Sequence, residues 1–158
     1  MGLTLWPVTV DHGLRNESAS EAQLVAKACA ELGLSHTTLR WHWDGQGNRQ
    51  DAAREARLSL IDRWRQGVEH VLFAHTQNDV AETFLLRLAR GSGVEGLSSM
   101  AARRKFEGVQ GTKNLLDPAD ISATALPPKP TRRTAGVPAY SRGFDVIRPL
   151  LSSTRDEL

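Results

Sequence analysis

The chain has 158 residues, 40% hydrophobic and 24% charged, with a formal net charge of +2 and a sequence pI near 9.0. Such values suit a globular domain with a real core, and the mild basicity permits a nucleic-acid partner without requiring one. The single cysteine, Cys29, excludes an internal disulfide and a cysteine-cluster metal site. A cytoplasmic location is therefore expected, and no stretch reads as a signal peptide or a membrane span.

In chain order, Leu3 to Val10 is an apolar run with little alternation, which predicts a parallel strand buried on both faces. Asp11-His12-Gly13-Leu14-Arg15 follows it. Ser18 or Ser20 is placed to cap a helix whose core stripe is Ala22, Val25, Ala26, Cys29 and Leu32, with Gly33 as the stop. Cys29 is then a small core residue. Ser35 to Trp41 alternates as a second strand, and Asp44 to Asn48 is a flexible turn. A helix from about Gln50 to Gln66 carries the stripe Ala53, Ala56, Leu60, Ile61 and Trp64, stops at Gly67, and leaves Arg54 and Arg57 together on a neighbouring face.

The most informative run is Val71 to Gly93, read as a buried strand, a sharp turn and a helix with the stripe Ala81, Phe84, Leu85, Leu88 and Ala89 that ends at Gly91. His75, Asp79 and Glu82 fall at or just beyond the carboxyl end of that strand, where such units place ligands. Asp79 and Glu82, three apart, share a face of the first helical turn and could hold a hydrated magnesium ion. The same residues also have a structural meaning. Thr76 and Asp79 have capping-box spacing, and acids suit a first turn by the helix dipole.

Strand and helix alternate three times, which predicts an α/β architecture of nucleotide-binding type, a parallel sheet with helices on both faces. Neither a G-x-G-x-x-G nor a G-x-x-x-x-G-K-[ST] loop is present. Basic residues cluster at Arg103-Arg104-Lys105 and across Lys129 to Arg142. The proline-rich stretch from about Gly108 to Arg142 predicts a loop or linker, Phe144 to Leu151 is a last apolar segment, and Arg148-Pro149-Leu150-Leu151 with Arg155 and Leu158 could begin a helix. The domain boundaries expected are therefore 1–105, 106–142 and 143–158. The closing Arg155-Asp156-Glu157-Leu158 looks like a retention tetrapeptide but stands without the secretory signal it would need.

Five strings occur in the order and at the spacing of one family: Thr9 to Arg15, Ala53 to Arg57, Ala74-His75 through Asp79 to Thr83, Leu86 to Gly93, and Arg148-Pro149-Leu150-Leu151. Together they resemble the tRNA(Ile)-lysidine synthases, within the PP-loop ATP pyrophosphatases. The resemblance implies a Rossmann-like fold of the adenine nucleotide alpha hydrolase type, with ATP and Mg2+ as cofactors. It implies ATP-dependent adenylation of the wobble cytidine of tRNA(Ile), followed by attack of free lysine to give lysidine. Carried over by motif, His75, Asp79 and Glu82 are catalytic, with Asp79 and Glu82 the metal ligands. His12 and Arg54 or Arg57 face the nucleotide, and Arg15, Arg87, Arg148 and Arg155 support substrate or structure.

This chain has Thr76 and Asn78 where the family pattern has a second histidine and a first aspartate. The family's Ser-Gly-Gly-x-Asp-Ser loop precedes the segment matched by Leu3 to Val10. The chain is thus expected to be most of a catalytic-domain fragment, inactive alone, with a homodimer among its expected assemblies. Two alternatives stand beside this: another PP-loop tRNA modifier, against which the lone cysteine speaks, and a non-catalytic nucleotide-binding or interaction module.

Overall fold

A computed structural model describes residues 4–43, 45, 47–65, 68–91, 100–108, 121–122 and 143–158. They fall into two compact units, one drawn from residues 1–68 and 108–142, the other from 69–107 and 143–158.

The first unit contains β1 (Val8–Asp11), α1 (Ser18–Glu31), β2 (Thr37–Arg40), α2 (Arg49–Trp64) and the two-residue β5 (Ile121–Ser122). β2 lies centrally, parallel to β1 with Val8 opposite Thr37 and Asp11 opposite Arg40, and antiparallel to β5. Its Thr37 and Leu39 are fully buried on one face, as alternation requires. β1 corrects the sequence expectation, because all four of its residues are only half-buried. The α1 stripe is corrected too: Ala22 and Cys29 are buried, whereas Leu32 is 75% exposed and Val25 also faces solvent. Only the small side chains of that helix lie in the core. Ser18 is its first helical residue, and neither Ser18 nor Ser20 caps it; Ser20 Oγ instead donates to the Glu17 carbonyl.

In α2 the expected stripe holds at Ala53, Leu60, Ile61 and Trp64, with Ala56 half-buried. Asn48 starts this helix by accepting from the Gln50 and Asp51 backbone N–H groups. At the other end Arg65 is almost fully buried, pairing with Asp62 at 2.8 Å and donating to the Val68 carbonyl at 2.7 Å. A buried guanidinium is tolerable only with such partners. Gly67 lies outside the described residues.

The second unit contains β3 (His70–Leu72), α3 (Gln77–Ala89), β4 (Arg103–Phe106), β6 (Phe144–Ile147) and a 3-10 turn at Arg155–Glu157. β6 is central, parallel to β3 and antiparallel to β4, and buries Phe144 and Val146 on one face. The Phe106 and Phe144 rings meet at 5.2 Å. The last apolar segment supplies this central strand with its Phe144/Val146 alternation, and the stretch from Arg148 to Leu158 expected to begin a helix carries a 3-10 turn at Arg155–Glu157 instead of an α-helix. The stripe expected on α3 is also corrected: none of its residues is buried, and Leu85 is 61% exposed. Parallel pairing holds for β1–β2 and β3–β6, while the antiparallel strands β4 and β5 were not foreseen. Most of residues 108–142 lies outside the described residues. Among the described residues no helix is long and apolar enough to cross a membrane.

Candidate active site

The acid pair sits where the second unit turns from strand to helix. Thr76 is the N-cap of α3, and Asp79 at the third helical position closes a capping box. The Thr76 N–H and hydroxyl donate to Asp79 Oδ2 at 2.7 and 2.8 Å. Asp79 Oδ1 accepts from Arg155 Nη2 at 3.1 Å, and Arg155 Nη1 lies 3.1 Å from Glu82 Oε1. One guanidinium therefore spans both carboxylates, three residues apart on one helical face.

The backbone holds that guanidinium in place. The Arg155 N–H donates to Asn78 Oδ1 at 3.0 Å, and the Gln77 N–H donates to the Ser153 carbonyl at 2.9 Å. Thr154 and Glu157 form a second capping box around the 3-10 turn that carries Arg155. The Thr76 backbone hydrogen bond holds the Asp79 carboxyl below its usual value; burial opposes it, and the Thr76 hydroxyl and Arg155 add to the lowering. Asp79 is an anion throughout the physiological range. The same acids draw the Arg155 guanidinium above its usual value.

His75, the residue before the cap, is half-buried and stacked on Phe73 at 5.7 Å. Arg148 is a strut: its Nη1 donates to the Ala101 carbonyl at 2.7 Å and its N–H to the Ala102 carbonyl, which tethers the start of β4. Arg87 lies in the last turn of α3, away from the acidic first turn. Sequence reading ranked Arg155 among the supporting residues, but it is the side chain in contact with both acids. Asn78, which replaces an acid of the family pattern, anchors the Arg155 backbone. Among the described residues no group of three or more His, Cys, Asp or Glu side chains converges as a metal cage.

The first unit carries a separate cluster at the carboxyl end of β1. Gly13 turns the chain at φ +56°, and its N–H donates to Asp11 Oδ1 at 2.9 Å. Arg57 Nε donates to His12 Nε2 at 3.4 Å, a long bond, and His12 meets Trp41 edge to face at 5.9 Å. Burial first, then the adjacent Arg57 charge, push the His12 imidazole below its usual value, with Asp11 opposing. It is therefore neutral at pH 7, and since Nε2 accepts from Arg57, the proton is assigned to Nδ1. That atom is buried and has no hydrogen-bond partner among the described residues. Burial likewise lowers Arg57, with the Arg54 charge adding to it. Arg54 itself is exposed, and Arg15 makes an exposed 3.5 Å pair with Glu21.

The family model of the PP-loop domain matches residues 1–120. The chain belongs to the PP-loop family. The Rossmann-like α/β class expected from the sequence is the fold of PP-loop domains. Curated relatives carry the name tRNA(Ile)-lysidine synthase. The protein of Ruegeria pomeroyi is 56% identical over 111 residues, 68% of this chain and 26% of the relative. That of Rhodopseudomonas palustris is 48% identical over 119 residues, 73% of this chain and 34% of the relative. That of a Bradyrhizobium species is 42% identical over 139 residues, 86% and 37%. This PP-loop chain thus spans between a quarter and somewhat over a third of the length of these relatives.

Proposed function

We propose that the chain supplies nucleotide-site and acid–guanidinium residues of a tRNA(Ile)-lysidine synthase, a ligase that uses ATP to join lysine to the wobble cytidine of tRNA(Ile). The name of the relatives supports the reaction, and the Arg155 bridge across Asp79 and Glu82 is the observation that carries the roles of these residues. In the first half-reaction the cytidine C2 oxygen bonds to the α-phosphorus and the bond to pyrophosphate breaks. In the second the lysine ε-amine bonds to C2 and AMP leaves with the oxygen.

Developing negative charge on the phosphates calls for cations held in advance, since preorganised charges need no reorganisation during reaction. Arg155, Arg57 and Arg54 are the candidates, Arg57 with its Nε directed at His12. The acid pair suits the second half-reaction: its carboxylates would attract the lysine ammonium and orient the amine, with His75 a candidate acceptor of its proton. Asp79 and Glu82 also fit a hydrated Mg2+ through one oxygen each, where the ion would neutralise pyrophosphate charge as it leaves. Arg155 already lies against both acids, so its guanidinium must share or yield those oxygens.

Calorimetry with ATP and Mg2+ tests the proposal on this chain preceded by a Ser-Gly-Gly-x-Asp-Ser segment. Binding that weakens at least tenfold in Arg57→Ala supports the nucleotide role. Failure to bind ATP, or binding indifferent to Arg57, would remove it.

A further inference from the structure

The opening of α2 carries an aromatic–cation pair that none of the roles above uses. The Trp41 N–H donates to the Asp11 carbonyl at 2.9 Å, which extends the β1–β2 ladder to its carboxyl edge. Trp43, two residues further, is 41% exposed. The Arg49 guanidinium lies over its indole with 5.3 Å from Cζ to the ring centroid, and Arg49 Nη2 donates to the Gly13 carbonyl at 3.0 Å. That bond ties the pair to the Asp11–Gly13 turn, beside the His12 ring whose Nδ1 has no partner among the described residues.

From this arrangement we infer that Trp43 and Arg49 form a stacking platform for a nucleobase. An exposed indole carrying a planar, delocalised cation is what unstacked bases stack upon, on the guanidinium plane or on an aromatic face. The platform lies at the carboxyl edge of a parallel strand pair, where α/β sheets take ligands. Gly13 fixes the guanidinium beforehand, so less side-chain freedom is lost when a base arrives. The base has two sources, the adenine of ATP or an unpaired base of an RNA strand, and the assignment rests on the proposed function only for the first.

The test is calorimetry on the 158-residue chain with three probes: ATP with Mg2+, tripolyphosphate with Mg2+, and an unstructured single-stranded RNA heptamer. Trp43→Ala should weaken one base-bearing probe by about tenfold, the scale of a lost base–aromatic stack. Trp43→Phe should restore most of that affinity, Arg49→Gln should reproduce part of the loss, and tripolyphosphate should be unaffected. Loss confined to ATP assigns the platform to the nucleotide, and loss confined to RNA assigns it to the strand. The inference is overturned if the parent chain binds neither base-bearing probe, if Trp43→Ala binds both as the parent does, or if tripolyphosphate weakens equally. ATP binding indifferent to Trp43 would sink the platform's adenine role and leave the proposed function standing. RNA stacking without any ATP binding by the 158-residue chain would assign the platform to the strand, and the proposed function is then decided by its own test on the extended chain.

Discussion

Replacing Asp79 tests whether one carboxylate both caps α3 and serves the site. In the structure it accepts two hydrogen bonds from Thr76, at 2.7 and 2.8 Å, and one from Arg155. Its side chain is 27% exposed, so the cap dominates and the ion pair is discounted for solvent. Loss of a cap costs about 1 kcal/mol and an anion in the first turn adds roughly 0.3–1 kcal/mol, so Asp79→Ala should cost about 1–2 kcal/mol. For a chain of this size that is a drop of roughly 2–8 °C in Tm. Asp79→Asn keeps an acceptor and should cost less. Because the folded carboxyl is held below its unfolded value, the folded state binds fewer protons in that window. The contribution is complete above the unfolded value near about 4 and fades as pH falls through the lower folded value. Thermal melts followed by circular dichroism from pH 7 to 3 should show the parent and Asp79→Asn converging at the acid end. A difference that stays constant with pH, or no difference at pH 7, would refute the capping account.

Gly143→Ala should be among the most damaging single changes, because Gly143 sits at φ +83° and an added Cβ would fall on the Phe106 carbonyl oxygen. A loss of at least about 2 kcal/mol in denaturant unfolding is expected, since left-handed strain and a backbone clash combine; a wild-type midpoint would contradict the β4–β6 geometry. His12 is held neutral by burial, so the unfolded state takes up more protons below about pH 6.5 and the parent loses stability there. His12→Gln should flatten the Tm profile between pH 7 and 5, with His36, lowered for the same reason, supplying the slope that remains; an unchanged slope would count against the His12 assignment. Arg148→Ala should release the Ala101 tether and speed hydrogen exchange in β4 with little change in β3, while uniform exchange across both strands would argue against a local strut.

The alternation of strand and helix was legible because period and punctuation agree: Gly33 and Gly91 follow their helices, and Asn48 and Thr76 precede theirs. The burial stripes of α1 and α3 were not, since periodicity names an apolar face without naming what covers it, and Leu32 and Leu85 remain open. β4 was hidden because Arg103-Arg104-Lys105 reads as a charge cluster. Its pairing with β6 joins residues about forty positions apart, through register that no local pattern carries. In the site, the Thr76–Asp79 spacing announced the capping box directly. Arg155 was a weak candidate because its contact with Asp79 spans 76 positions, and only the fold of β6 and the 3-10 turn brings it there. Trp43 and Arg49 had no motif to mark them.

The most direct measurement of the central claim is lysidine formation by a chimera. In it the stretch of this chain that matches the Ruegeria pomeroyi relative, 68% of the chain, replaces its counterpart, and cytidine modification of a tRNA(Ile) transcript is read by mass spectrometry with ATP and lysine present. The chimera should form lysidine, with Asp79→Ala at least about 10²-fold slower, as for loss of one preorganised electrostatic contact. A folded chimera that binds ATP yet leaves the cytidine unmodified, or one that works equally well without Asp79, would contradict it.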